Sequence, residues 1–330
     1  MNPDRKPFSL VNLHGEGCFR SLTLALPTAQ VLRFLPAGLL LGPQHVTPPG
    51  THPVILSFNA LYRAEMSVPT LLPSLTYHEF TFGVPFSYLP AGRLGRARGA
   101  LTGRRNPTPH GPYYYMPRLF LDSVLATLGG LLFWGYAKKL ARFTVGADRF
   151  AIQAEDGAPQ VSLAFSAQGE PQPVAHFPHF AAVQAMLDQP LVSQLPAALG
   201  PIFVVADFDK QWGQATLRPL ATQVQVQAEL VPGFGPGSHP AGGVSAGINV
   251  SELGSYELTA PWLLGMPHAP LLRPDPKPDR LLARHDPTAS HPAAMGQPGS
   301  AAQLRSQPGP VRWCAPALRA RLAGGLLPSR

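Results

Sequence analysis

Forty prolines and thirty-two glycines are spread through this chain of 330 residues. Each proline removes a backbone donor and each glycine loosens the backbone, so there is little room for long helices. Between these breaks lie apolar runs of strand length. At 45% hydrophobic content the chain can bury a sizeable core, in one large domain or two ordinary ones. The fold class predicted is mainly β (α+β), rich in loops, with a few short helices.

Taken in order, Phe19, Leu22, Leu24 and Leu26 alternate with small residues as in a strand, and Thr28 to Leu35 reads as a short helix stopped by Pro36. Val54 to Leu61 reads as a buried strand. Residues 75–88, LTYHEFTFGVPFSY, form a second apolar and aromatic strand with Glu79 inside it. Arg149 to Gln153 and Val161 to Phe165 flank the turn-rich EDGAPQ as a hairpin, and a helix is predicted over Phe180 to Leu187. Further strands fall at Ile202 to Ala206, Thr222 to Leu230 and Ser255 to Leu264.

From Pro267 the composition shifts to Pro, Ala, Gly, Ser and Arg without a period, as in disordered tails. The organisation expected is an arm over 1–7, a domain over 8–266 and a disordered tail over 267–330. Within the domain, residues 90–111 read as a mobile basic loop placed to act as a lid.

The net charge of +8 raises the question of nucleic acid. Arg93, Arg96, Arg98, Arg104 and Arg105 lie in the one loop, and the tail from Pro267 carries nine basic residues against three acidic. The remaining body has twelve against fifteen and is mildly acidic. No nucleic-acid partner is expected. Cys18 and Cys314 lie near opposite ends, which gives neither a metal site nor a disulfide framework. The N-terminus lacks the apolar region of a secretory signal, so the location expected is cytoplasmic.

The most hydrophobic stretch, PYYYMPRLFLDSVLATLGGLLFWGYAKKLARF at 112–143, ends in Lys138 and Lys139. From Leu119 to Ala137 it has about the length of a membrane span. Asp122 inside the run, and the lack of a second span, argue against a membrane. Leu119 to Leu121 and Val124 to Leu128 read equally well as a buried strand pair broken at Gly129-Gly130. The lysines themselves have two readings, a solvated pair or an activated amine. Burial disfavours the ammonium form, and a neutral amine attacks ketones. Successive residues on a strand face opposite ways, so one lysine can be buried while the other stays wet.

Phe120-Leu121-Asp122, then Gly130-Leu131-Leu132, then Tyr136-Ala137-Lys138-Lys139 resemble the motif series of the acetoacetate decarboxylase-like superfamily. Tyr77-His78-Glu79 resembles its tyrosine-x-glutamate. The sequence departs from the family at Leu131 and Leu132, where Arg and Glu are usual, and at Ala137, where proline is usual. The resemblance implies Lys138 as Schiff-base nucleophile, with Lys139 modulating its pKa and Glu79 as the carboxylate that assists. An activated lysine is that family's own device and is not shown by the spacing.

The resemblance also implies Tyr77 and Tyr136 against the substrate, and an arginine for its carboxylate. Arg20 is the nearest candidate, with Arg63 and Arg118 as alternatives. Asn59, opposite the family's other glutamate, is read as non-catalytic, and His78 falls on the outer face of its strand. The fold implied is an antiparallel β-barrel-type arrangement in a homo-oligomer. The function implied is a lyase acting on a small oxo acid, without metal or organic cofactor. An aldolase-dehydratase on pyruvate-like substrates and a non-catalytic small-molecule binder are the alternatives.

Overall fold

The structure, a computed structural model, describes residues 12–67, 73–89, 111–194, 203–236, 254–265 and 267–272. The expected arm, the loop over 90–110, Cys314 and the chain beyond 272 lie outside the described residues.

Strand β1 (Asn12–Pro27) is followed by α1 (Thr28–Val31) and one 3-10 turn, and then by β2 (Leu40–Leu41). Three long strands follow, β3 (Thr51–Met66), β4 (Leu75–Tyr88) and β5 (Tyr113–Leu121). Helix α2 (Val124–Trp134) leads into β6 (Lys138–Val145), and β7 (Arg149–Ala154) and β8 (Pro159–Ala167) make the expected hairpin. Then come β9 (Gln172–Pro173), α3 (Phe180–Leu187), β10 (Leu191–Gln194), β11 (Phe203–Ala206) and β12 (Phe208–Lys210). Strands β13 (Thr216–Val226), β14 (Ser255–Gly265) and β15 (His268–Leu272) end the described chain. The last of these pairs with β11, so the sheet runs past the expected boundary at 266.

Pairing runs from β4 through β5, β6, β7, β8, β13, β14, β1 and β3 and returns to β4, which brings the inner faces around one interior. The pairing is antiparallel, as expected, except that β5 pairs in parallel with both β6 and β10, which makes the sheet mixed. Parallel neighbours need a crossover, and α2 is the one between β5 and β6. Gly17 to Leu26 of β1 and His52 to Leu61 of β3 are buried without interruption, whereas β8 and β13 alternate and show one face to water.

Val124 to Leu128 therefore belongs to a helix and not to a strand, and Gly129 and Gly130 lie within it. Its ends explain why. Ser123 caps the first turn by accepting from the Ala126 N–H at 3.2 Å, and Gly135, at φ 65°, closes the last. Among the described residues no helix is long and apolar enough to cross a membrane.

Arg20, offered as the substrate's cation, is structural. Its Nε lies 2.8 Å from Glu257 and its guanidinium 4.3 Å above the Phe165 ring. Arg218 meets the other oxygen of Glu257 at 2.7 Å, and both arginines face Glu257 across strand pairs. Burial alone would push the Glu257 carboxyl up; the Arg20 and Arg218 charges outweigh it and hold it below the usual range. The resulting stabilisation is present above the unfolded carboxylate's pKa and is lost as pH falls through the lower folded value. Arg20→Ala leaves a buried carboxylate short of one partner and is expected to cost about 3 to 5 kcal/mol in urea unfolding. An unchanged midpoint would remove this structural role.

Candidate active site

Lys138 opens β6, directly after α2. Its N–H donates to the Tyr136 carbonyl at 2.7 Å in a tight turn, and its Cα stands opposite Leu119 of β5. The pleat turns Lys138 inward and leaves Lys139 exposed. Lys138 Nζ donates to the Ala126 carbonyl of α2 at 3.2 Å and lies 6.0 Å from the Tyr136 ring centroid. The helix can lie this close because Gly130 has no side chain, since a β-carbon there would be 2.1 Å from Lys138 Cε.

The interior beneath α2 is an open-mouthed cavity. Leu61, Leu75, Leu119, Phe208, Trp262 and Leu264 give it a largely apolar wall, and among the described residues Glu79, Lys138 and Lys210 are its charged members. Glu79 sits on β4 directly opposite Asn59 of β3, whose amide donates to Glu79 Oε1 at 3.0 Å. Ser57 Oγ donates to Asn59 Oδ1 at 2.6 Å, and Ser21 Oγ lies 2.8 Å from Ser57 Oγ. With its own proton on Asn59, Ser57 accepts from Ser21. Asn59 thus orients the carboxylate.

Glu79 and Lys138 retain some accessible surface because they line the cavity, yet loss of hydration dominates both. Burial lowers the Lys138 amine below the usual lysine range, and the Glu79 charge pulls it partly back. Burial raises the Glu79 carboxyl, opposed by Lys138 and the Asn59 hydrogen bond. Tyr77, on the same face as Glu79, is pushed well above the ordinary phenol value by burial, with Glu79 and Asp122 adding to it. Tyr136 is raised for the same two reasons, burial and then Glu79. Both are protonated near neutrality, and the Tyr136 hydroxyl has no partner among the described residues.

Lys138, Glu79, Tyr77 and Tyr136 all line this cavity, while Arg20, Arg63 and Arg118 do not. Arg20 alternates with Phe19 and Ser21, which line the cavity, and so faces away. Arg118 alternates with Leu119 in the same way and donates to the Leu230 carbonyl at 2.7 Å. Arg63 pairs with Glu16 at the surface. Lys139 is on the outer side too, so the Lys138 shift comes from burial rather than from a neighbouring ammonium. His78 faces outward and holds Asp122 at 2.8 Å.

Sequence reasoning missed Lys210. It is buried beside Phe208, 4.3 Å from that ring's centroid, and its Nζ donates to the Leu187 carbonyl at 2.9 Å. Burial pushes it down to about 8, against the charges of Asp188 and Asp209. The visible signal was a lone lysine between Phe208 and Trp212 in FDKQW.

Fold and site together define a mainly β protein that encloses an amine and a carboxylate in an apolar cavity. No model of a known protein family matches the chain, and no curated protein matches it. In structure it is similar to the enduracididine biosynthesis enzyme MppR complexed with pyruvate, at 15% identity and a TM-score of 0.48 over 80% of this chain and 90% of that one. It is similar to acetoacetate decarboxylase from Legionella pneumophila, at 13% and 0.48 over 81% and 91%. An acetoacetate decarboxylase-like enzyme from Sphingomonas wittichii RW1 gives 14% and 0.44 over 78% and 91%. At such identities the likeness assigns no residue a role.

The two glycines of α2 give a paired test. Gly129 has open space around its missing β-carbon, so Gly129→Ala is expected to leave Lys138 undisturbed and to gain roughly 0.5 to 1 kcal/mol. Gly130→Ala meets the flexible end of a side chain, which can move; the fold survives and the amine is displaced. Labelling of Lys138 by an amine-directed reagent, followed by mass spectrometry, is expected to change on the order of tenfold or more in Gly130→Ala only. Equal labelling in both variants would contradict this packing.

Proposed function

We propose that the chain is a Schiff-base-forming carbon–carbon lyase acting on an oxo acid, with Lys138 as nucleophile. The observation that carries this reading is the Lys138 amine, lowered by burial and enclosed beside Glu79 in a largely apolar cavity. In its neutral form the amine attacks the substrate ketone carbon to give a carbinolamine. Loss of water, with one proton taken up, gives a protonated imine.

With a 3-oxo acid such as acetoacetate, the imine then accepts the electron pair of the bond between the adjacent carbon and the carboxylate carbon. Carbon dioxide leaves and an enamine remains. Protonation at carbon restores the imine, and water releases the ketone and the free lysine. Glu79, raised by burial, is suited to carry the protons of these steps and to stand as counter-charge to the imine. The Tyr136 hydroxyl, protonated and unpaired, is suited to donate to the carbinolamine oxygen.

Borohydride reduction in the presence of acetoacetate, and separately of pyruvate, is expected to fix a mass increase on Lys138 that vanishes in Lys138→Ala. Carbon dioxide release then separates decarboxylation from aldol chemistry. A folded protein that traps no oxo acid would end the Schiff-base reading.

The pH dependence has a definite sign. Trapping is expected to rise with pH through the lowered Lys138 value, below the ordinary lysine range. Because the Glu79 charge holds that value up, Glu79→Gln should move the rising limb to lower pH. A limb that moved up, or did not move, would contradict the coupling.

A further inference from the structure

The cavity holds polar groups that imine chemistry at Lys138 does not use. Lys210 and Trp262 stand directly opposite each other on the antiparallel pair β12 and β14. Their side chains therefore leave the same face of the sheet, with β-carbons about 5 Å apart. Both residues are buried and both line the cavity.

The Trp262 indole N–H has no partner among the described residues. A buried tryptophan ordinarily finds one. The Lys210 ammonium carries three N–H groups, and the Leu187 carbonyl takes one of them. The two acids that act on Lys210 stand outside the cavity lining. Asp209 precedes it on the strand and so points the other way. Asp188 accepts from the Trp212 indole at 2.6 Å.

An acid entering an apolar cavity gives up its hydration and needs a cation in return. Among the described lining residues there is no arginine, and Lys138 is the nucleophile of the reading above; of the described cations this leaves Lys210. We propose that Lys210 and Trp262 form the receptor for the substrate's carboxylate. The ammonium supplies the charge, and the indole N–H supplies a second, directed hydrogen bond.

This proposal rests on the Lys138 reading, and its test separates the two. Acetoacetate and its neutral methyl ester present the same ketone, and half-saturating concentrations for borohydride trapping at Lys138 are compared for both. In Lys210→Met the value for the acid is expected to rise roughly tenfold or more, while that for the ester stays within about twofold. Lys210→Arg keeps the charge and should restore much of the preference. Trp262→Phe should shift the acid alone, by a smaller factor.

An unchanged preference for the acid in Lys210→Met would overturn the proposal, as would an adduct formed on Lys210 itself. Calorimetric binding of hexanoate against hexanamide needs no imine and reads the receptor directly. Wild type should favour hexanoate and Lys210→Met should not. If neither ketone is trapped but hexanoate binding depends on Lys210, the Lys138 reading has failed and the receptor stands. If hexanoate binds equally to both proteins, the receptor has failed.

Discussion

An amine and a carboxylate enclosed in one largely apolar cavity form the interaction on which this site depends. Burial disfavours the charge on each, while each favours the charge on the other. Lys138 and Glu79 therefore hold protons as a pair, and their titration belongs to the pair rather than to either residue. The same fold shows the opposite outcome at Arg20, Glu257 and Arg218. There two guanidiniums, which do not deprotonate, fix one carboxylate in its charged state. One buried cluster is locked and the other is poised, and the difference follows from lysine against arginine and from one cation against two.

That poise is a product of backbone path. Because β5 and β6 are parallel, the chain must cross between them, and α2 is laid over the interior as the crossover. The start of β6 then delivers Lys138 beneath the helix. The Ala126 carbonyl accepts a hydrogen bond from its amine, and Gly130 leaves room for its methylenes. On the opposite wall β3 and β4 set Asn59 against Glu79 by direct pairing, so the carboxylate's orientation is fixed by register. Moving β4 by one residue would send Glu79 outward and bring His78 in.

The alternation that makes this register strict was also what the sequence displayed most clearly. Runs such as LTYHEFTF carry their faces in the order of their residues, so that Tyr77 and Glu79 share one face and His78 takes the other, while the strands around them decide which face looks into the cavity. Helix α2 was hidden because VLATLGGLLFW is apolar around its whole circumference, and a short run of that kind has no period to separate helix from strand. Its caps, Ser123 and Gly135, were local signals, but the need for a crossover was a property of strands far apart in the chain. The arginines misled for a related reason. Residue type suggests a carboxylate partner, whereas the inner or outer face of Arg20 and Arg118 is set by neighbours that line the cavity. Lys210 escaped notice because its burial depends on β12 meeting Trp262, more than fifty residues later, with no motif to announce it.

Counting charge around the cavity links these parts. In the resting pair, moving a proton between Lys138 and Glu79 changes no net charge, so the neutral amine that attack requires is reached without placing a new ion in an apolar space. On the proposed reading, a protonated imine would restore the positive charge at nearly the same place, beside the carboxylate already oriented by Asn59. Lys210 stands apart from this exchange; burial, Asp188 and Asp209 act on it, and it keeps its proton near neutrality because its value is about 8. Among the described lining residues Lys210 is thus the one charged group outside that pair, and on the proposed reading a monoanionic oxo acid would balance it. A neutral ketone would leave Lys210 uncompensated on the cavity side, and a dianion would leave an excess carboxylate facing leucine and phenylalanine. On the proposed reading, selection for a single carboxylate would follow from this balance, with complementarity of shape acting on the anions that pass it.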